Sequence, residues 1–177
     1  MGLRDFERNS GVPKEVVIRP GGDREVNVVK DLDLKSYHYP WGAEEWQATA
    51  GKDPAKWCLA FLKSKPIGFA IWRNADDEVD LLRIGVRIDS RGCGVGTELL
   101  LHVVKYAGMH GMSRVALTIP EINCFPGHPD DVSEWLLRRK FCATPPIVKS
   151  HVYRYGQWVD GFRFVRMLKG CDDEPTT

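Results

Sequence analysis

Short runs of apolar and β-branched residues recur along the chain and predict strands, because such side chains fit the pleated surface of a sheet. The seven runs span 15–19, 57–62, 67–72, 79–88, 115–119, 147–155 and 162–168. Only Ser64-Lys65-Pro66 and one flanking residue separate the second run from the third, so these two are predicted to form an antiparallel hairpin. In the fourth run apolar residues alternate with arginines: Leu82, Ile84, Val86 and Ile88 on one face, Arg83 and Arg87 on the other.

Four other stretches are predicted to be helical, and they span 31–36, 42–50, 97–110 and 130–139. The third is the clearest, because Leu100, Val103, Val104 and Ala107 recur at helical spacing and Gly111 follows as a stop. The fourth has two acids at its start and cations at its end, as the helix dipole favours.

The two ends of the chain lack this patterning. Residues 1–14 are polar with Gly and Pro, and residues 171–177 form an acidic tail, so we predict that both are flexible. No repeat or linker interrupts the part between them. The sequence therefore predicts one α+β domain over 15–170, with a loop at 124–129 and a turn at 156–161.

Composition and charge give no sign of a strongly charged partner. Hydrophobic residues make up 43% of the chain, charged residues 28%, and the net charge is +1, which is an ordinary globular balance. There is no long basic run and no apolar stretch long enough to span a bilayer, so neither nucleic acid nor a membrane is predicted as a partner. The amino terminus has no apolar h-region, which favours a cytoplasmic location.

The cysteines do not form a recognisable framework. Their number is odd and no two have Cys-x-x-Cys spacing: they are Cys58, Cys93, Cys124, Cys142 and Cys171. This pattern argues against a disulfide scaffold or a zinc site, and the histidines show no metal-ligand spacing either. We therefore expect free thiols and no metal.

The segment with the clearest chemical meaning is Arg91-Gly92-Cys93-Gly94-Val95-Gly96, between a predicted strand and the clearest helix. Glycines let the backbone curl and present N–H groups to an anion, and a helix amino terminus also favours negative charge. A pyrophosphate is the anion that such a loop is expected to bind. The segment is not a Walker A loop, because no Gly-Lys-Ser/Thr ends it, and it is not Gly-x-Gly-x-x-Gly. The alternative is a glycine-rich turn that binds nothing.

From Ile84 to Gly96 the sequence resembles the acetyl-CoA motif of GNAT acetyltransferases, in which a strand is followed by Q/R-x-x-G-x-G/A and a long helix. Arg91, Gly94 and Gly96 occupy its defining positions, and the order β-α-α-β-β-β-α-β-α-β-β fits nearly the whole chain. Tyr39-Pro40-Trp41, with the acids and Trp46 that follow, is similar to the first-helix region of the ribosomal-protein and protein N-terminal acetyltransferases. The resemblance implies a mixed, mostly antiparallel sheet of six to seven strands with about four helices, splayed at the acetyl-CoA site.

The resemblance also implies which residues contact acetyl-CoA, the co-substrate. The strand would offer its backbone at Ile84, Gly85 and Val86 to the pantetheine amides, and the pyrophosphate would lie on the loop that follows. That loop comprises Arg91, Gly92, Cys93, Gly94, Val95, Gly96 and then Thr97. Asn123 matches a position that often bonds the cofactor; the alternative is an Asn that caps its own turn.

The implied reaction is direct attack of a primary amine on the thioester, which needs a base, alignment and an oxyanion donor. Here the sequence departs from the family pattern: Thr118 stands where relatives often have Glu, and Leu136 where they have an acid Tyr. The candidate bases are Glu121, His128 and Tyr153, then Tyr155, and a water chain is an alternative.

The acceptor is predicted to be a peptide α-amine, with a lysine side chain or a small amine as alternatives. Aromatic residues are candidates to line the acceptor groove: Tyr37, Tyr39, Trp41, Trp46, Tyr153, Tyr155 and Trp158. Two other classes of protein are alternatives to an active acetyltransferase. A phosphotransferase is disfavoured because no suitably spaced lysine or metal-ligand set accompanies the loop, and a regulatory module would bind acetyl-CoA without catalysis. Either a monomer or a homodimer fits the sequence.

Overall fold

A computed structural model describes residues 15–49, 54–124, 131–154 and 157–168. The predicted flexible ends at 1–14 and 171–177 lie outside the described residues, as does most of the predicted loop at 124–129. None of the helices in the described part of the chain is long and apolar enough to cross a membrane.

Within those residues the chain forms seven strands and four α-helices in the predicted order β-α-α-β-β-β-α-β-α-β-β. The strands are β1 (Val16–Pro20), β2 (Lys56–Leu62), β3 (Lys65–Ala75), β4 (Glu78–Val86), β5 (Arg114–Pro120), β6 (Cys142–Arg154) and β7 (Gln157–Met167). The helices are α1 (Val26–Ser36), α2 (Ala43–Ala48), α3 (Val95–Met109) and α4 (Ser133–Leu137). The α+β class is confirmed.

The strands are hydrogen-bonded in the order β1-β2-β3-β4-β5-β7-β6. The pairs β1–β2, β2–β3, β5–β7 and β6–β7 are antiparallel, whereas β4 and β5 are parallel, so the predicted mixed and mostly antiparallel sheet is confirmed. The register of the parallel pair runs from Glu78 opposite Arg114 to Asp80 opposite Ala116. The last six residues of β4, Leu81 to Val86, therefore extend beyond this paired segment.

The chain divides into two compact units, of which the first comprises Met1–Arg73 and Arg83–Lys105. Its fully buried side chains come from α1, the β2–β3 hairpin and α3, and include Val29, Leu32, Leu59, Phe69, Leu99 and Leu100. The second unit comprises Asn74–Leu82 and Tyr106–Thr177. Its core includes Val79, Val115, Leu117, Leu136, Phe141 and Phe164.

Several predicted boundaries were wrong. Helix α1 begins at Val26 rather than 31, and α4 has five residues rather than ten. Strand β4 ends at Val86, because Ile88–Ser90 forms a 3-10 turn that leaves the Ile88 side chain 60% exposed.

The predicted turn at 156–161 was also wrong, because β7 already begins at Gln157. Strand β6 begins at Cys142 rather than at 147, and it includes two consecutive prolines. The structure accommodates them at a register shift between Thr144 and Val148, in the strand at the end of the sheet order. Prolines are tolerated in strands at such bulges and edges.

Gly85 of β4 is buried at a point where no side chain fits. A Cβ at this position would lie 2.7 Å from Cε1 of Phe69 and 3.0 Å from Cε2 of Tyr37. The absence of a side chain at Gly85 therefore lets the ring of Tyr37 approach the strand closely.

We expect Gly85→Ala to lower the free energy of unfolding by about 1–3 kcal/mol, because overpacking displaces aromatic rings. Gly108→Ala is the matched control: Gly108 lies inside α3 with nothing within 4 Å of an added Cβ. That change should stabilise by up to about 1 kcal/mol through helix propensity. Urea denaturation measures both, and equal effects of the two substitutions would contradict the packing described for Gly85.

Candidate active site

The loop between β4 and α3 has the curled backbone that its glycines predicted. Gly92 and Gly94 both have φ of 79°, in the left-handed region that favours glycine. Arg91, Gly92 and Cys93 are exposed, whereas the Val95 side chain is only 2% exposed and turns into the protein. The loop thus presents its backbone at the surface and is anchored by one apolar side chain.

This loop runs directly into the amino terminus of α3, which begins at Val95 rather than at Thr97. The carbonyl of Gly94 accepts the N–H of Glu98 at 3.1 Å, the first hydrogen bond of the helix. The N–H groups of Val95 and Gly96 precede that bond and have no intrahelical acceptor. Left-handed glycines followed by a helix amino terminus form a surface suited to phosphate oxygens.

The Arg91 side chain turns back onto the chain. Its Nε donates to the Val86 carbonyl at 3.2 Å, and its Nη2 donates to the carbonyl of Ser36 at the end of α1. A cation is favourable at the carboxyl end of a helix. The guanidinium predicted to hold pyrophosphate therefore connects the end of β4 to the end of α1.

The backbone of β4 just before the loop is also engaged by a side chain. The hydroxyl of Tyr37 donates to the carbonyl of Ile84, one of the residues expected to contact pantetheine. Tyr37 is the first residue after α1, and its N–H donates to the carbonyl of Asp33 at 3.2 Å. Residues Ile84 to Val86 are therefore linked to the segment that leaves α1.

A buried ion pair organises that segment. Asp33 of α1 is 1% exposed and accepts Nε of Arg83 at 2.8 Å, and the Arg83 side chain is only 12% exposed. The other carboxylate oxygen accepts the N–H of Trp41 at 2.6 Å, and Nη2 of Arg83 donates to the Tyr39 carbonyl at 2.9 Å. One ion pair thus holds α1, residues 37–42 and β4 in a fixed arrangement.

Aromatic rings surround this ion pair. The Arg83 guanidinium carbon lies 3.7 Å from the centroid of the Tyr37 ring and 5.4 Å from that of Trp41. Trp41 meets Trp46 of α2 edge to face, with centroids 5.1 Å apart, and the ammonium of Lys30 lies 5.6 Å from the Trp46 ring. Four of the aromatic candidates for the acceptor groove lie in or beside residues 37–46, and the exposed Tyr39 is one of them.

Sequence reasoning missed Asp33 and Arg83. A signal was present, because Asp33 shares the buried face of α1 with Val29, Leu32 and Ser36, and a charge among apolar positions indicates a buried partner. Arg83 lies within a mostly apolar strand, which is the same kind of signal. Neither residue could be matched to the other without the fold.

The structure describes only some of the candidate bases. Glu121 begins the 3-10 turn Glu121–Cys124 after β5 and is half-buried. The backbone of Tyr153 pairs with Trp158, but its side chain lies outside the described part. His128 and Tyr155 lie outside the described residues altogether. Glu121 is therefore the candidate base whose side chain the structure describes.

Asn123 lies in the same turn as Glu121. Its carbonyl accepts the N–H of Val132, the residue that precedes α4, at 3.2 Å. Thr118, which stands where relatives often have Glu, lies on β5 opposite Arg163 of β7. Leu136, which stands where they have Tyr, is fully buried in α4.

The cysteines of the described residues are free and differ in their surroundings. Burial raises the pKa of the Cys58 thiol to about 12. Burial, with the negative charges of Asp131 and Glu121, raises the pKa of Cys124 to about 11. Cys93 and Cys142 are exposed, and Cys93 lies inside the glycine loop. Across the described residues no cluster of three or more His, Cys, Asp or Glu is arranged to hold a metal ion.

Comparison with known families identifies the class of this site. The sequence model of the Acetyltransferase (GNAT) family matches residues 26–125, more than half of the chain. The chain belongs to this family, and it is therefore an acyltransferase with acetyl-CoA as its co-substrate. A search of curated proteins found no match.

Solved structures share the fold at low sequence identity. The ribosomal-protein-S18-alanine N-acetyltransferase of Escherichia coli matches with a TM-score of 0.71 and 16% identity, over 90% of this chain and 99% of that one. A GNAT acetyltransferase of Elizabethkingia anophelis, solved with acetyl-CoA bound, gives 0.71 and 16%, over 88% and 100%. NAA60 of Arabidopsis thaliana, in complex with a bisubstrate analogue, gives 0.67 and 19%, over 86% and 97%. At these identities the likeness establishes the fold.

We expect Asp33→Ala to lower the free energy of unfolding by about 3–5 kcal/mol, because it leaves the Arg83 charge buried without its carboxylate. Asp31→Ala is the matched control, since Asp31 pairs with Lys35 at 2.6 Å on the same helix but half exposed, and such pairs contribute about 0.5 kcal/mol. The double variant Asp33→Leu/Arg83→Met should recover much of the loss. Chemical denaturation decides, and similar costs at positions 31 and 33 would refute the organising role of the ion pair.

Proposed function

We propose that this protein transfers the acetyl group of acetyl-CoA to a primary amine, and that its acceptor is the α-amine at the amino terminus of a peptide or protein. Membership of the family supports the acetyl transfer. The choice of acceptor is supported by the fold shared with an enzyme described as a ribosomal-protein-S18-alanine N-acetyltransferase, and by Tyr39-Pro40-Trp41 at the end of the α1 region.

The observation that carries the proposal is the left-handed backbone at Gly92 and Gly94 leading into α3. We assign the pyrophosphate of acetyl-CoA to this loop and to the first N–H groups of the helix, from Val95 to Thr97. Backbone donors and the helix dipole would supply the attraction. Arg91 would act mainly by holding the loop against the ends of β4 and α1, since that is where its side chain lies.

In this proposal the pantetheine arm follows β4 at Ile84, Gly85 and Val86. The amine nitrogen attacks the thioester carbonyl carbon, a C–N bond forms and the C–S bond breaks, so that the CoA thiolate leaves. A backbone N–H near Val86 would stabilise the oxyanion of the tetrahedral intermediate. The amine must lose one proton, and the thiolate gains one.

Among the residues that the structure describes, Glu121 is the candidate for the group that accepts the amine proton. It begins the 3-10 turn that follows β5, and its side chain is half-buried. His128 and Tyr153 remain candidates from the sequence, as does a water chain. Asn123, in the same 3-10 turn as Glu121, is proposed as a further cofactor contact.

A second candidate function is an acetyl-CoA-binding module without catalysis. The observation that favours it is the loss of two groups: Thr118 replaces the Glu that relatives often have, and the fully buried Leu136 replaces an acid Tyr. Cofactor binding and turnover must therefore be measured separately.

For cofactor binding we expect Gly94→Trp to abolish the heat of acetyl-CoA binding, because a bulky side chain at a left-handed position blocks the loop. Gly108→Trp carries the same bulk on α3 where an added Cβ meets nothing within 4 Å, and it should bind like the intact protein. Isothermal calorimetry gives the dissociation constants. A dissociation constant weaker than about 1 mM for the intact protein would refute the cofactor assignment.

For the acceptor we expect acetylated product from lysine-free octapeptides with a free α-amine, detected by mass spectrometry. The matched arms are the same peptides with a blocked α-amine and one internal lysine, and the small amine spermidine. Product only in the lysine or spermidine arm would reassign the acceptor. Acetyl-CoA binding without product in any arm would favour the module without catalysis.

A further inference from the structure

Strand β4 directs its backbone polar groups alternately to two edges, and the structure shows which residues face which. The N–H of Arg87 donates to the carbonyl of Ile67 on β3 at 2.9 Å. A Cβ added to Gly68 of β3 would lie 2.9 Å from the carbonyl oxygen of Gly85. Because these groups alternate along a strand, Gly85 and Arg87 face β3, whereas Ile84 and Val86 face the opposite edge.

On that opposite edge, side chains bind the carbonyls. The Tyr37 hydroxyl donates to Ile84, and Nε of Arg91 donates to Val86 at 3.2 Å. Both carbonyls lie beyond Asp80, where the register of β4 with β5 ends. A partly buried carbonyl needs a donor, and here the donors are two side chains from outside the sheet.

Tyr37 is held in place to make this hydrogen bond. The Arg83 guanidinium lies 3.7 Å from the centroid of its ring, and Gly85 leaves the space that its ring edge occupies. Arg83 is in turn fixed by the buried carboxylate of Asp33. A phenol ordered in this way makes its hydrogen bond at little further cost in side-chain entropy.

We propose that the hydroxyl of Tyr37 competes with the pantetheine arm of acetyl-CoA for the Ile84 carbonyl. This inference rests on the proposed function, which places pantetheine on this part of β4. Binding of the cofactor then requires the Tyr37 hydroxyl to leave Ile84. Tyr37 leads into residues 38–42, which belong to the aromatic segment proposed to bind the acceptor. A change at Tyr37 on cofactor binding therefore alters the affinity of this segment for the acceptor, and a bound acceptor alters the affinity for the cofactor by the same factor.

The test compares two ligands on the full chain by calorimetry. Acetyl-CoA contains the pantetheine arm, whereas 3′-phosphoadenosine 5′-diphosphate retains the nucleotide and pyrophosphate but lacks that arm. Tyr37→Phe keeps the ring and removes only the hydroxyl, so we expect it to bind acetyl-CoA about 2- to 10-fold more tightly, the effect of one hydrogen bond no longer given up. Binding of the truncated nucleotide should stay the same.

Tyr106→Phe is the matched control, because it removes a hydroxyl that bonds the side chain of Asn74. It should leave the dissociation constants of both ligands unchanged. Tyr37→Leu also lacks the hydroxyl and repeats the comparison should the Phe variant fold poorly, as judged by circular dichroism.

The outcomes separate this inference from the proposed function. Tighter acetyl-CoA binding by the Tyr37 variants, with unchanged binding of the truncated nucleotide, supports the competition. Equal or weaker acetyl-CoA binding by these variants overturns it, because the hydroxyl is then shared with the cofactor or uninvolved, while the proposed function stands. An intact protein that binds neither ligand overturns both.

Discussion

The buried ion pair between Asp33 and Arg83 is the interaction on which the arrangement of the candidate site depends. Removing two charges from water is costly, and such a pair is retained in a structure only when its hydrogen bonds are well satisfied. Here both carboxylate oxygens have donors, and the guanidinium also bonds the Tyr39 carbonyl and lies over the Tyr37 ring. The pair therefore fixes three backbone segments, and apolar residues of the same volume would not do so.

Two side chains extend this order from the ion pair to the glycine loop Arg91–Gly96. Tyr37, held by Arg83, reaches the Ile84 carbonyl, and Arg91, the first residue of the loop, reaches Val86 and Ser36. Tyr37 and Arg91 thus each connect the end of α1 to the end of β4. A motif residue that the resemblance associates with the cofactor thus connects two elements of the structure, and the anion surface that we propose consists of backbone at Gly92, Gly94 and the start of α3.

The order of elements and the curled glycine loop before α3 could be predicted from the sequence, because helical and strand spacings differ and glycines mark the loop. Helix α3 shows this best, since its predicted stripe from Leu100 to Ala107 is at most 4% exposed. The boundaries failed where tertiary structure overrides local preference, as in β6, whose prolines lie at a register shift. The pairing of Asp33 with Arg83 could not be predicted, because fifty residues separate them and the sequence alone does not show which charges meet in the fold.

The position of the Arg91 side chain also has a consequence for which groups of the loop are available to a ligand. Arg91 is the only cation within Arg91–Gly96, and its guanidinium is engaged by two carbonyls, while nearby Arg87 forms an ion pair with Asp89. In the proposed function, the place of a bound phosphate would be set by backbone N–H groups of the loop and of the start of α3, whose directions are fixed by the chain itself. A side chain would not have to be ordered when the ligand binds.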